Sequence, residues 1–338
     1  MMKKFIALLL SLAMMFSLAA CSSNEPKADG EDKDKEITIG FCIISTQAEF
    51  LVAMVQGAQA QADEMGVKLI VKDANVSAQT QQEQVEDLIS QGVSAIIIEP
   101  WDSDAIVTSI KKANEAGIPV FTCDTTAAGG EFLSYIASDN IEMGRMAGEY
   151  IAEQLNERYG EYKGTVVNLL ASLTSSNGKA RSQGFREVME QYPNIEIIEK
   201  NGDLIVETAM NAMTDILQAN EKIDAVWCSG DNNAIAAIQA VEAAGLEAEI
   251  GSDDRIIIVS GDGGSEILQD LKNGTCDACV SQQPITMGKT SVKMAVEYVR
   301  DGIAPASDVV NVDLYTLTAD NLDSDEVKAF GLWADEVK

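Results

Sequence analysis

A chain of 338 residues, 46% hydrophobic and 23% charged, is long enough for two globular domains, each with its own core. Its 54 acidic against 24 basic residues give a net charge of -30, which argues against nucleic acid or any other polyanion as a partner. The absence of histidine excludes Ser-His-Asp and Cys-His catalysis, histidine-ligated metals and the usual proton shuttle near neutral pH.

The chain opens on an address. Lys3 and Lys4 precede an apolar run from Phe5 to Ala20, which is too short and too closely followed by polar sequence to span a membrane and reads as a secretory signal. "LAAC", Leu18 to Cys21, resembles the bacterial lipobox, in which the cysteine is acylated and becomes the new N-terminus; the plainer alternative is an ordinary signal peptide followed by a stray cysteine. Residues 1–20 are therefore expected to be a lipoprotein signal peptide, and residues 21–36, polar and highly charged, a flexible tether. Beyond Cys21 there are five cysteines, an odd number that forbids complete pairing within the chain. "CDAC", Cys276 to Cys279, invites a redox or metal reading, but it lies in the strand-like run "TCDACVSQQ", where residues three apart point to opposite faces, and reads better as small buried apolar residues.

From Ile37 short apolar runs alternate with amphipathic segments. "ITIGFCII" leads to a helix from Phe50 to Met65, then "VKLIVKD", a helix from Gln79 to Gln91, "SAIIIEP", a helix from Asp104 to Ala116, and "IPVFTCD". Gly66, Gly92 and Gly117 fall where these helices should end, so the run reads as βαβαβ with a parallel sheet. A second such run follows "SYIASDN": a helix from Glu142 to Arg158, "GTVVNLLA", a helix near Lys179 to Tyr192, "IEIIEK", a helix from Val206 to Ala219, "IDAVWCSGD", a helix from Ala234 to Ala244, and "RIIIVSGD". "CDACVSQQP", a helix from Thr286 to Arg300 and two short strands near Val309 and Tyr315 complete the chain. The halves echo each other, which implies two similar α/β lobes.

In open parallel sheets, ligands collect outside the carboxyl ends of the strands. The groups expected there are Gln47, Glu49 and Phe50 after the first strand, Glu99 and Trp101 after the third, Asp124 after the fourth, Asp231 and Asp262 in the second half, and Gln282 before the last long helix. Carboxylates, amides and an aromatic face suit a neutral polyol. Asp124 and Asp262 end apolar strands in corresponding parts of the two halves and read as ligand groups. Asp231 reads as a helix N-cap, Glu99 before Pro100 as a solvated turn residue, and Trp101 equally as the cover of a core edge or a cleft residue. Arg181 is either a helix-surface charge or a cleft cation that holds neighbouring carboxylates ionised. Neither GxGxxG nor GxxxxGK[ST] occurs, no cofactor is implied, and "GDGG" at Gly261 to Gly264 has too few fixed positions to carry a phosphate site.

These strings, with "GAQAQADEMGVKLIV", "QVEDLISQGVSAIII", "DSDAI", "AGIPVFTCD", "MAGEYIA" and "SQQP", resemble the type I sugar-binding proteins of ABC importers, and within them the ribose-binding group, from Ile37 to about Tyr315. The resemblance implies two doubly wound parallel-sheet lobes joined by three hinge crossovers, near Ser138, Gln282 and Asp313, and closing on a ligand. The N-lobe would be residues 37–138 with 283–312, and the C-lobe residues 139–282 with 313–338. Asp124 matches the family's N-lobe carboxylate, Arg181 its C-lobe arginine, Asp262 its C-lobe carboxylate, Gln282 its crossover amide and Phe50 the first of two stacking phenylalanines. Glu49 stands in place of a frequent proline. Leu51, Thr125, Leu204, Gly230 and Gly261 replace aromatic, arginine or asparagine side chains, so the polar clamp is kept while much of the stacking is lost. The implied protein is an extracytoplasmic, lipid-anchored monomer, not an enzyme, that delivers a sugar or polyol to an ABC permease and its ATPase. Competing readings are a chemotaxis or quorum-signal receptor on the same fold and a sugar-acting enzyme. A DNA-binding repressor is disfavoured by the export signal.

Overall fold

The structure, a computed structural model, describes residues 36–337. The expected signal peptide, the expected tether up to residue 35 and Cys21 lie outside the described residues. Strands β1 (Thr38–Ile43), β2 (Lys68–Asp73), β3 (Ala95–Ile98), β4 (Val120–Cys123) and β5 (Tyr135–Ser138) form one sheet with β11 (Val309–Val312), in the order β11-β5-β4-β3-β1-β2. All its pairings are parallel. The second sheet runs β12-β10-β9-β8-β6-β7, from β6 (Lys163–Leu170), β7 (Asn194–Asn201), β8 (Ala225–Cys228), β9 (Ile257–Asp262), β10 (Ala278–Ser281) and β12 (Tyr315–Leu317), and only β12 pairs antiparallel. The chain changes sheet after β5, between β10 and the next helix, and between β11 and β12, so each lobe is built from separate stretches of sequence.

The continuous apolar runs are explained by what covers them. Ile97 packs into the core on one face of the first sheet, while its neighbours Ile96 and Ile98 pack into the core on the other. In the second sheet Val166 and Trp227 turn to one face, and Val167, Val226 and Cys228 to the opposite one. Because successive side chains point to opposite faces, a strand clothed by helices on both must be apolar throughout.

The helices are α1 (Glu49–Met65), α2 (Ala78–Gln91), α3 (Val107–Glu115), α4 (Asn140–Tyr159), α5 (Ser176–Met189), α6 (Val206–Ala219), α7 (Asp231–Ala243), α8 (Ser265–Asn273), α9 (Pro284–Asp301) and α10 (Asp325–Phe330). Helix α3 starts three residues later than the sequence suggests, because the Asp102 carboxylate accepts from the amides of Asp104 and Ala105 at 2.9 Å each and holds that stretch as a turn. Gly66 and Gly92 end α1 and α2 in the left-handed conformation, with φ of 66° at each. The five cysteines are buried and free; burial pushes the Cys42 thiol up to about 12, as befits an inert core residue. A tail the sequence did not announce follows β12: α10 and a 3₁₀ turn, Trp333–Asp335, fold back so that the Gln283 amide donates to the carbonyls of Phe330 and Gly331 at 3.0 and 2.8 Å.

Each lobe carries one tight helix pair that sets a site element. In the first, α1 and α9 cross where Gly57 faces the Ile285 carbonyl and Gly288 faces that of Met54. In the second, α4 and α5 cross where Gly144 faces the Arg181 carbonyl and Gly184 that of Ile141. A methyl group at any of the four would collide with rigid backbone. Gly144→Ala is therefore expected to cost about 1 to 3 kcal/mol in chemical denaturation, as overpacked cores do, and to displace the helix turn that carries Arg181. An unchanged denaturation midpoint would show that the crossing relaxes freely.

Candidate ligand-binding cleft

The carboxyl ends of both sheets border one cavity of about 530 Å³ between the lobes. Glu49, Phe50, Asp124, Arg181 and Asp262 line it, together with Glu99, Trp101, Asn177 and Asp231. Gln282 does not line it: this amide is fully buried behind the wall, where its Nε2 donates to Asp262 Oδ1 at 2.6 Å. A second, more open hollow of about 570 Å³, lined by Leu246, Ile250 and Arg255, is bordered by the C-terminal ends of α7 and α8 and lies apart from these groups.

Asp124 and Asp262 occupy equivalent places, one just past β4 and one ending β9, and both have left-handed backbone, with φ of 56° and 88°. Aspartate tolerates that region better than most residues, but the conformation still costs free energy, and such outliers cluster at functional sites. Asp124 is anchored by its amide, which donates to the Ile136 carbonyl at 2.8 Å, and by the Tyr135 hydroxyl, which donates to the Asp124 carbonyl at 2.5 Å. Its Oδ2 accepts from Asn177 Nδ2 across the cleft at 3.1 Å.

Arg181, 3% exposed, is the cation of the cleft. Its Nε donates to Asn140 Oδ1 at 2.8 Å, and Nη1 donates to the Ser229 carbonyl at 2.7 Å and to Asp262 Oδ1 at 3.3 Å. A guanidinium with its donors committed in this way is fixed in orientation, which is what recognition of oxygen atoms requires. The helix-surface reading of Arg181 is thus set aside.

Glu99 is fully buried, which corrects the expectation of a solvated turn residue. Pro100 ends the strand, yet the Glu99 side chain turns inward and its Oε2 accepts from the Ile44 amide at 3.1 Å. Burial first, and then the neighbouring Asp124, drive its carboxyl well above the usual range. Burial also pushes Asp124 up to about 6, against the pull of Arg181 and with a further push from Asp262. Glu99 Oε1 and Asp124 Oδ1 have no other hydrogen-bond partner, so a neutral Glu99 donating to Asp124 satisfies both.

Asp231 is likewise not an N-cap. Helix α7 is preceded by Gly230, and the Asp231 carboxylate instead accepts from Ser260 Oγ at 2.7 Å and from the amides of Gly264 and Gly263 at 2.6 and 3.3 Å. It ties the "GDGG" turn to the cleft. Burial and the adjacent Asp262 raise its carboxyl well above the usual range.

Glu49 lines the cavity, but its carboxylate reaches across to the other lobe: Oε2 accepts from the Ser265 amide at 2.7 Å, and the Ser265 hydroxyl donates to Oε1. A carboxylate of the first lobe thus caps helix α8 of the second, where the helix dipole favours negative charge. Further bridges join the lobes. The Thr126 amide donates to Ser176 Oγ at 3.0 Å, and the Ser176 amide donates to Ser103 Oγ at 3.0 Å. Phe50 meets Trp333 edge-on, with ring centroids 6.0 Å apart and planes at 88°, and Trp333 Nε1 donates to the Asp262 carbonyl at 3.0 Å. Asn177 and Trp333 were not foreseen. Asn177 lies one helical turn from Arg181, a spacing that could have drawn attention to it, whereas nothing local to Trp333 announces its position.

Two doubly wound lobes meeting at the carboxyl ends of their sheets, with polar groups from each, define a solute-binding protein. Residues 39–303 match the periplasmic binding protein domain, and the chain belongs to that family. It is 32% identical over 298 residues to the ribose import binding protein of Bacillus subtilis, covering 87% of this chain and 92% of that one. It is also similar to a crystallised galactofuranose binding protein, at TM-score 0.79 and 26% identity over 88% of this chain and 99% of that one. A solute binding protein from Bacillus halodurans crystallised with myo-inositol matches at TM-score 0.77 and 27% identity, over 88% and 98% of the two chains.

Because Asp124 titrates higher in the folded protein than in the unfolded chain, the folded state holds its proton longer. That stabilisation is complete below the unfolded value near 4 and is lost as pH rises through about 6. Asp124→Asn has no such loss, so its denaturation free energy should gain on that of the natural protein between pH 4 and pH 7, by up to roughly 3 kcal/mol. Parallel pH profiles would mean that Asp124 titrates as it does in water.

Proposed function

We propose that this protein captures a sugar or polyol in the cleft between its lobes and delivers it to an ABC permease and its ATPase, working outside the cytoplasm as a monomer held at the membrane by a lipid on Cys21. The observation that carries the reading is the pairing of Asp124 from one lobe with Arg181 and Asp262 from the other around a single cavity. Neither lobe alone meets all of a polyol's hydroxyl groups. Ligand therefore favours the closed arrangement, and a permease can tell loaded from empty protein by shape. Ribose, galactofuranose and myo-inositol, named for its relatives, mark the chemical range. Those relatives are binding proteins, which supports capture rather than turnover.

Calorimetry with monosaccharides and cyclic polyols tests this directly. Asp124→Ala and Asp262→Ala each remove a charged acceptor, a contribution of roughly 1.5 to 3 kcal/mol, so affinity should fall about tenfold to a hundredfold. Native affinity in both folded variants would show these acids to be structural. Binding should also weaken below about pH 6, since a hydroxyl that donates to Asp124 needs the carboxylate form. Cys21→Ala should release folded protein into the medium, and mass spectrometry showing an unacylated N-terminus at another residue would refute the anchor.

A further inference from the structure

The cavity has two kinds of lining. Asp124, Arg181, Asp262 and Asn177 are polar, whereas Leu51, Val76, Leu204 and Ile205 are aliphatic and come from both lobes. Val76, Leu204 and Ile205 do not pack into any of the hydrophobic core clusters of the described residues, so burial in the fold does not account for them. Ile205 is 48% exposed.

The backbone that presents these side chains is strained in the same way in both lobes. After β2, Asn75 and Val76 have φ of 48° and 60°; after β7, Asp203 and Leu204 have φ of 55° and 54°. Left-handed backbone is costly for leucine and a genuine outlier for a β-branched valine. Neighbours hold it in place: the Val76 amide donates to the Ile44 carbonyl at 3.0 Å, and Asn232 Nδ2 donates to the Leu204 carbonyl at 2.9 Å. Beneath Leu204 lies Gly230, where any side chain would strike Leu204 Cδ2. Gly230 has an extended backbone, with φ of 170°, that any residue can adopt, so what the glycine provides there is room for the Leu204 side chain in its present position. Strain maintained by specific contacts at a ligand cavity points to a use for the side chains it displays.

Resting on the sugar-capture reading, we infer that the ligand is a sugar or polyol bearing an apolar substituent, an alkyl or aryl glycoside in chemical class, whose polyol part meets Asp124, Arg181 and Asp262 while its substituent lies among Leu51, Val76, Leu204 and Ile205. The rival explanation is that these residues merely seal the closed cleft, touching each other and not the ligand.

Titration calorimetry on the full-length protein with free aldopentoses and aldohexoses, and with the butyl and phenyl glycosides of the same sugars, separates the two. At least one glycoside should bind about tenfold tighter than its parent sugar, since each methylene taken out of water is worth about a factor of four. Leu204→Asn keeps a residue suited to left-handed backbone, which protects the fold, and should bring the ratio of glycoside to parent affinity down toward one. Parent sugars that bind as tightly as their glycosides, or a Leu204→Asn variant that weakens both equally, would overturn the inference and leave sugar capture standing. Absence of binding by parents and glycosides alike would overturn both.

Discussion

The site depends on one buried cation. Arg181 sits among Asp124, Asp262, Glu99 and Asp231, and its guanidinium is what makes so acidic a cleft tolerable. Buried charges are stable when paired and hydrogen-bonded, and Arg181 is paired with Asp262 and held by Asn140 and Ser229. Burial, with Asp124 beside Glu99 and Asp262 beside Asp231, drives Glu99 and Asp231 toward their neutral forms.

The lobes solve the same geometric problem twice. Glycines let α1 and α9 approach within backbone contact in one lobe, and α4 and α5 in the other. Each sheet ends a central strand on an aspartate with positive φ. Each edge strand, β2 or β7, turns into its helix through two left-handed residues. Such repetition places equivalent groups on either side of the cavity, so that closure brings two half-sites together and neither is complete alone.

Polar contacts help to join the halves. Glu49 at the start of α8, Ser176 between Ser103 and Thr126, and Asn177 on Asp124 are hydrogen bonds that bridge the cleft. Bonds of that kind exchange with water at small net free energy, typically about 1 kcal/mol each, which is the regime in which a ligand can decide between open and closed arrangements. Trp333, folded back from the tail onto Phe50 and the Asp262 carbonyl, ties the C-terminus to the same region.

Much was legible in the chain itself. The alternation of apolar runs with amphipathic segments, punctuated by glycine, determined two parallel sheets, because a strand covered on both faces must be apolar throughout. Asp124 and Asp262 could be singled out since an acid that ends such a strand stands where cavities form. The fates of Glu99, Asp231, Gln282 and Trp333 were decided only in three dimensions. A glutamate before proline looks like a turn residue until Ile44 and Asp124 enclose it, and an aspartate at a helix start looks like a cap until the amides of Gly263 and Gly264 arrive from the turn after β9. Whether Gln282 faces ligand or supports Asp262 from behind depends on which neighbour lies within hydrogen-bond reach. Local pattern reports which face a residue occupies, but protonation and partnership depend on groups distant in sequence, and those are brought together only by the tertiary fold.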